Sequence, residues 1–140
     1  MSCYAVIDTN VLVSSLLAKR SDSAPAFILD AVLSGEIIPL YNPEILAEYK
    51  EVLNRPKFPF STDRIEKLLW IIRQFGVSVD PTPTGMELPD MSDLVFYEVM
   101  MEKREDDAYL VTGNLRHFPV RTYIVTPAEM MALIRGKAAP

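Results

Sequence analysis

Val6-Ile7-Asp8-Thr9-Asn10-Val11-Leu12, VIDTNVL, is the stretch on which the fold turns. An apolar run reaches Ile7, three polar residues interrupt it, and apolar residues resume at once. This reads as a buried strand ending on a carboxylate that is pressed against the start of a helix. The strand is expected over Cys3 to Ile7 and the helix over Val11 to Ala18.

Outward from this stretch, short apolar runs alternate with longer amphipathic ones. Ala24 to Leu33 is expected to be helical, with Gly35 as its C-cap, and Glu36 to Tyr41 a strand that Pro39 makes imperfect. Asn42-Pro43 supplies an N-cap and a first-turn proline for a helix to about Asn54. Ser61 to Phe75 follows, with Ile65, Leu68, Leu69, Ile72 and Phe75 on one face and Gly76 as its stop. Val77 to Val79 reads as a strand and Pro81 to Pro89 as a loop. Beyond them the pattern predicts a helix from about Ser92 to Arg104, strands at Ala108 to Thr112 and Thr122 to Val125, and a helix from Pro127 to Ile134. Thr126 and Glu129 have capping-box spacing at the start of that last helix. Strands alternating with helices imply one three-layer α/β/α domain over residues 1–140, with a mostly parallel central sheet.

Composition narrows the function. With 140 residues and 49% hydrophobic content, the chain can bury a real core. No run is long and apolar enough to span a membrane, the start lacks a signal-peptide pattern, and Cys3 is the only cysteine, so a reducing cytoplasm is expected. A net charge of −5 argues against a broad basic surface. Lys50, Arg55, Lys57, Arg64, Lys67 and Arg73 do gather mid-chain, where they read as the solvated faces of a helix pair. Dinucleotide, P-loop and nucleophile-elbow motifs are all absent. The methionines at helical spacing read as core filling.

In an open α/β sheet, ligands gather at the carboxyl ends of the strands. Asp8 ends the first strand, and Thr112-Gly113-Asn114 ends a later one in the same manner. Two further acids come from helices. At about 100° per residue, Glu48 lies about 40° beyond the apolar arc of its helix. Asp93 falls between Met100 and Tyr97 on the inward face of the helix expected from about Ser92, and Asp90 lies just ahead of it. Such carboxylates repel one another unless a cation is held between them. Oxygen donors without a His or Cys cluster suit Mg²⁺ or Mn²⁺, and the implied chemistry is metal-assisted phosphodiester hydrolysis.

Four segments, in order, carry a resemblance over nearly the whole chain. They are Val6 to Leu12, Glu48 to Phe58 (EYKEVLNRPKF), Asp90 to Asp93 (DMSD) and Val111 to Pro119 (VTGNLRHFP). Together they resemble the PIN-domain family, in the VapC-like branch labelled as toxins of toxin–antitoxin pairs. The resemblance implies a Rossmann-like fold and a Mg²⁺- or Mn²⁺-dependent nuclease acting on RNA. Its catalytic and metal-binding acids map onto Asp8, Glu48 and Asp93. Asn114 stands where the family often has a further Asp, and Asp90 opens the branch's D-x-x-D pattern. Thr9, Asn10 and Thr112 are expected to support these ligands, and Arg55, Lys57, Arg116 and His117 to meet the RNA backbone. An antitoxin protein is an implied partner. Trp70, Phe58 and Phe60, if exposed, suit a homodimer or antitoxin surface. A catalytically inactive PIN-like module that binds protein or RNA is the alternative reading. A small phosphatase fits poorly, because Asn10 stands where its D-x-D-x-[TV] pattern needs a second Asp.

Overall fold

A computed structural model describes residues 2–138. Five strands, β1 (Cys3–Ile7), β2 (Ile37–Tyr41), β3 (Val77–Ser78), β4 (Tyr109–Val111) and β5 (Ile124–Val125), form one parallel sheet in the order β3-β2-β1-β4-β5. The helices are α1 (Thr9–Leu17), α2 (Ala24–Ser34), α3 (Pro43–Leu53), α4 (Thr62–Phe75), α5 (Leu94–Glu102) and α6 (Pro127–Ala138). They cover both faces, giving the expected three-layer α/β/α architecture. α5 packs on β1, β2 and β4, while α2 packs on β2 and joins α1 and α6.

Strand order explains why β1 reads as continuously apolar. It lies in the middle of the sheet, and Ala5, Val6 and Ile7 are at most 1% exposed. The chain runs from β1 out to β3, then returns to pair β4 on the other side of β1. The carboxyl ends of β1 and β4 therefore flank a topological switch point, the usual place for a ligand crevice in such sheets.

Several boundaries differ from the sequence pattern. α1 begins at Thr9 rather than Val11, because the Asp8 side chain accepts from Thr9 N and caps the helix. The helix expected from Ser92 is divided. Asp90 accepts from both the backbone N and the hydroxyl of Ser92, a tight 3₁₀ turn spans Met91–Asp93, and only then does α5 begin. α5 stops at Glu102, and a second 3₁₀ turn, Arg104–Asp106, ends on Asp107 with φ 60°. β4 and β5 are shorter than their apolar runs, while α6 runs on to Ala138. Phe75, expected on the buried face of α4, is 42% exposed at the helix end beside the two-residue edge strand β3.

The caps follow the sequence closely. Ser23, Asn42 and Ser61 accept from first-turn amides of α2, α3 and α4. Gly35 takes the left-handed conformation, φ 83°, at the end of α2. Thr126 and Glu129 exchange hydrogen bonds at the start of α6.

Candidate metal centre

Asp8 N donates to the Val111 carbonyl at 2.9 Å, so the ladder between β1 and β4 extends to the carboxylate-bearing residue itself. The Asp8 side chain is held from three directions. Oδ1 accepts from Thr9 N at 2.9 Å, and Oδ2 accepts from Thr112 Oγ1 at 2.8 Å and Asn10 Nδ2 at 3.2 Å. Asn10 Oδ1 in turn accepts from Gly113 N at 2.9 Å, tying the turn after β1 to the turn after β4. A side chain at Gly113 would crowd Asn10 Oδ1, at 3.2 Å from an added Cβ. Thr112 is fully buried, and its hydroxyl also accepts from Asn114 N at 3.0 Å.

Glu48 reaches the same edge from α3. The adjacent Tyr49 is buried, its hydroxyl donates to the Ile7 carbonyl, and its ring meets Phe96 of α5 at 6.1 Å. This anchors α3 over the end of β1, where Glu48 accepts from the Thr9 hydroxyl. Asp93 is 8% exposed and arrives from the 3₁₀ turn before α5. Its Oδ2 accepts from His117 Nδ1 at 2.9 Å, while Asn114 Nδ2 meets His117 Nε2 at 2.9 Å. With the amide nitrogen of Asn114 donating, the ring proton belongs on Nδ1, facing Asp93.

The structure thus brings Asp8, Glu48, Asp93, Asp90 and Asn114 to one edge, with Thr9, Asn10 and Thr112 bracing them. The tightest grouping differs from the one expected. Among the described residues, ligand atoms of Asp90, Asp93 and His117 lie within 4.8 Å of one another. The charges of Asp93 and His117 act on Asp8, and those of Asp8 and Asp90 on Glu48. His117, expected to face substrate, is inside the acidic cluster. Its spacing from Asn114, three residues through a 3₁₀ turn, is the signal that could have placed it there. Arg116 is exposed on the same turn.

Neither Arg55 nor Lys57 is paired with any of these acids. Arg55 pairs with Glu51 at 2.9 Å, and Lys57 lies over Phe58, which stacks on Phe60. Arg64 covers Phe60 and donates to the Leu16 carbonyl in the last turn of α1. That carbonyl is about 12 Å along the helix from the Asp8 cap. Lys50 is 3.6 Å from Glu66, so part of the mid-chain basic group is paired with acids.

The electrostatics suit a cation at this edge. Burial pushes the Asp8 carboxyl from an ordinary 3.8 to about 6, with the Thr112 hydrogen bond opposing and the charge of Asp93 adding to it. Burial likewise raises Glu48 and Asp93, and their neighbouring carboxylates add to the shift. Exposed Asp90 is lowered instead, by its hydrogen bonds from Ser92. Three buried or half-buried acids that each resist ionisation in the others' presence form a hard oxygen donor set suited to a divalent cation. The donors fit such an ion.

A parallel α/β/α sheet with clustered carboxylates at its switch point forms a scaffold whose donors suit a divalent cation. The sequence profile of the PIN domain family matches residues 4–116, and the chain belongs to that family. PIN domains are generally metal-dependent nucleases. No curated protein and no solved structure matches the chain. Among the described residues, no helix is long and apolar enough to cross a membrane.

Proposed function

We propose that this protein is a Mg²⁺- or Mn²⁺-dependent endoribonuclease. The supporting observation is that the carboxyls of Asp8, Glu48 and Asp93 converge at the switch point with all three pushed up by burial. In this reading Asp8, Glu48 and Asp93 hold the cation and act as the catalytic set, with Asn114 and Asp90 at its margin. A bound divalent ion supplies Lewis acidity, offsetting charge on the phosphoryl group and promoting ionisation of the attacking water. The protein's part is to hold the carboxylates still: Thr112, Asn10 and the Thr9 amide fix Asp8, the Thr9 hydroxyl fixes Glu48, and His117 fixes Asp93.

The VapC-like resemblance supports a toxin role, an antitoxin partner, a homodimer and a cytoplasmic setting. Trp70, 53% exposed on α4, is available to such a partner. All 140 residues belong to one PIN-like unit in this reading, since β5 pairs with β4 and α6 packs on α2 beyond the family match.

The test is incubation of labelled RNAs with protein and Mn²⁺, with chelator, and with Asp8→Asn. Metal-dependent cleavage that disappears in Asp8→Asn is expected; equal cleavage by the variant would sink the assignment. One observation favours the alternative of an inactive binding platform. Asn114 stands where the family often has an acid, and its amide nitrogen is engaged by His117. On that reading, millimolar Mn²⁺ leaves the melting temperature unchanged.

A further inference from the structure

A cleft of about 660 Å³ opens beside the acid cluster, between α1, the first turns of α2 and α6, and the loop after β4. Asn10 and Asn114 line both it and the metal centre, so the two are continuous. Its apolar lining, Val11, Ala24, Pro25, Pro127 and Ala128, is small or flat, with no long side chain to fill the space. Ser14, Thr126 and Arg116 place polar groups around that surface. The size lies within the roughly 300–1,000 Å³ of small-molecule sites, and the mixture of apolar walls with a few polar groups is theirs also.

Arg116 is the informative residue. Arg20 and Arg55 are paired with acids, Arg64, Arg104 and Arg121 donate to backbone carbonyls, and Arg135 lies over Phe27. Among the described residues Arg73 and Arg116 show no such contact, and of these two only Arg116 lines the cleft, exposed and two residues from Asn114. A guanidinium held beside an acidic centre, with the positive ends of two helices across the space, suits a phosphate lying next to the one being cut.

We propose that this cleft receives one nucleotide adjoining the scissile phosphate, its base against the Ala24-Pro25 and Pro127-Ala128 walls and its phosphate on Arg116. The proposal rests on the nuclease reading and adds to it a second subsite, which selects the substrate without taking part in the chemistry. Ser14 and Ala128 are both exposed, so larger side chains there fill the cleft without displacing the core.

The experiment compares wild type, Ser14→Trp and Ala128→Phe in Mn²⁺ on a cleaved RNA and on bis(p-nitrophenyl) phosphate, a diester with no base. Both variants should melt near wild type. Their ratio of kcat/KM for RNA to that for the small diester should fall at least ten-fold. Arg116→Ala should raise KM for RNA, with partial recovery in Arg116→Lys. Filled variants that keep the wild-type ratio overturn the proposal. If wild type cleaves no RNA, the nuclease reading falls first, and 5′-AMP titrated into wild type with chelator decides the cleft alone. Amide NMR shifts at Ser14 and Ala128 that Arg116→Ala weakens would uphold it, and none at millimolar nucleotide would overturn it.

Discussion

Asp8 carries two opposed requirements. Three donors hold it, yet burial makes its ionised form costly. Its folded value of about 6 lies above the 3.8 of an ordinary Asp, so the folded protein holds the proton more tightly than the unfolded chain. In metal-free protein its contribution to stability therefore falls as pH rises from about 4 to 6, then levels off. The shift of about two units corresponds to at most about 3 kcal/mol. Asp8→Asn removes this titration. Measured by urea unfolding with chelator, the stability of Asp8→Asn relative to wild type should rise between pH 4 and 7, and a flat difference would refute the assigned shift. Thr112→Val tests the brace. It removes the donor to Asp8 and the acceptor for Asn114 N, so it should cost about 1–3 kcal/mol. It should also lower cleavage more at pH 6 than at pH 8, because the unbraced carboxyl moves further up.

At the scale of elements, one glycine does more than end a helix. Gly76 follows α4, where the sequence pattern reads it as a stop. An added Cβ would overlap the Pro39 carbonyl oxygen of β2 and lie 2.5 Å from the Ile72 carbonyl oxygen. Both are backbone atoms and cannot turn aside. Gly76→Ala should therefore destabilise by about 1–3 kcal/mol. Gly136, in α6 with nothing near its Cβ position, should gain up to about 1 kcal/mol as alanine. Thermal melts of the two variants check the contrast, and equal behaviour would show that the close approach to β2 is relieved at little cost.

For the whole molecule, the sheet brings carboxylates from three separate parts of the chain together, so a cation that binds them stabilises the entire fold. Mn²⁺ at 100 times its dissociation constant should add about 2.7 kcal/mol to unfolding. The gain should fade as pH drops below about 6, since the ligands must lose their protons before they bind. Calorimetric melts across pH, with and without Mn²⁺, read this directly. A metal-induced shift that is independent of pH would place the ion away from Asp8.

Much of this was legible locally. Asp8, Asn42, Ser61 and the Thr126–Glu129 pair announce helix starts because capping is a contact between residues a few positions apart. Three-residue spacing and apolar runs locate β1 and the helices for the same reason. The acids Asp8, Glu48 and Asp93 could be picked out because each breaks an apolar pattern, and the family motifs put them in order. What only the tertiary structure decided depends on which strand lies beside which. β4 returning next to β1 puts the Thr112 hydroxyl on Asp8 across 104 residues and carries His117 onto Asp93. The same return leaves Arg116 facing the cleft, while Arg55 is paired with Glu51 and Lys57 lies over Phe58. Sequence spacing records neighbours along the chain, and the long-range pairings are made by the sheet.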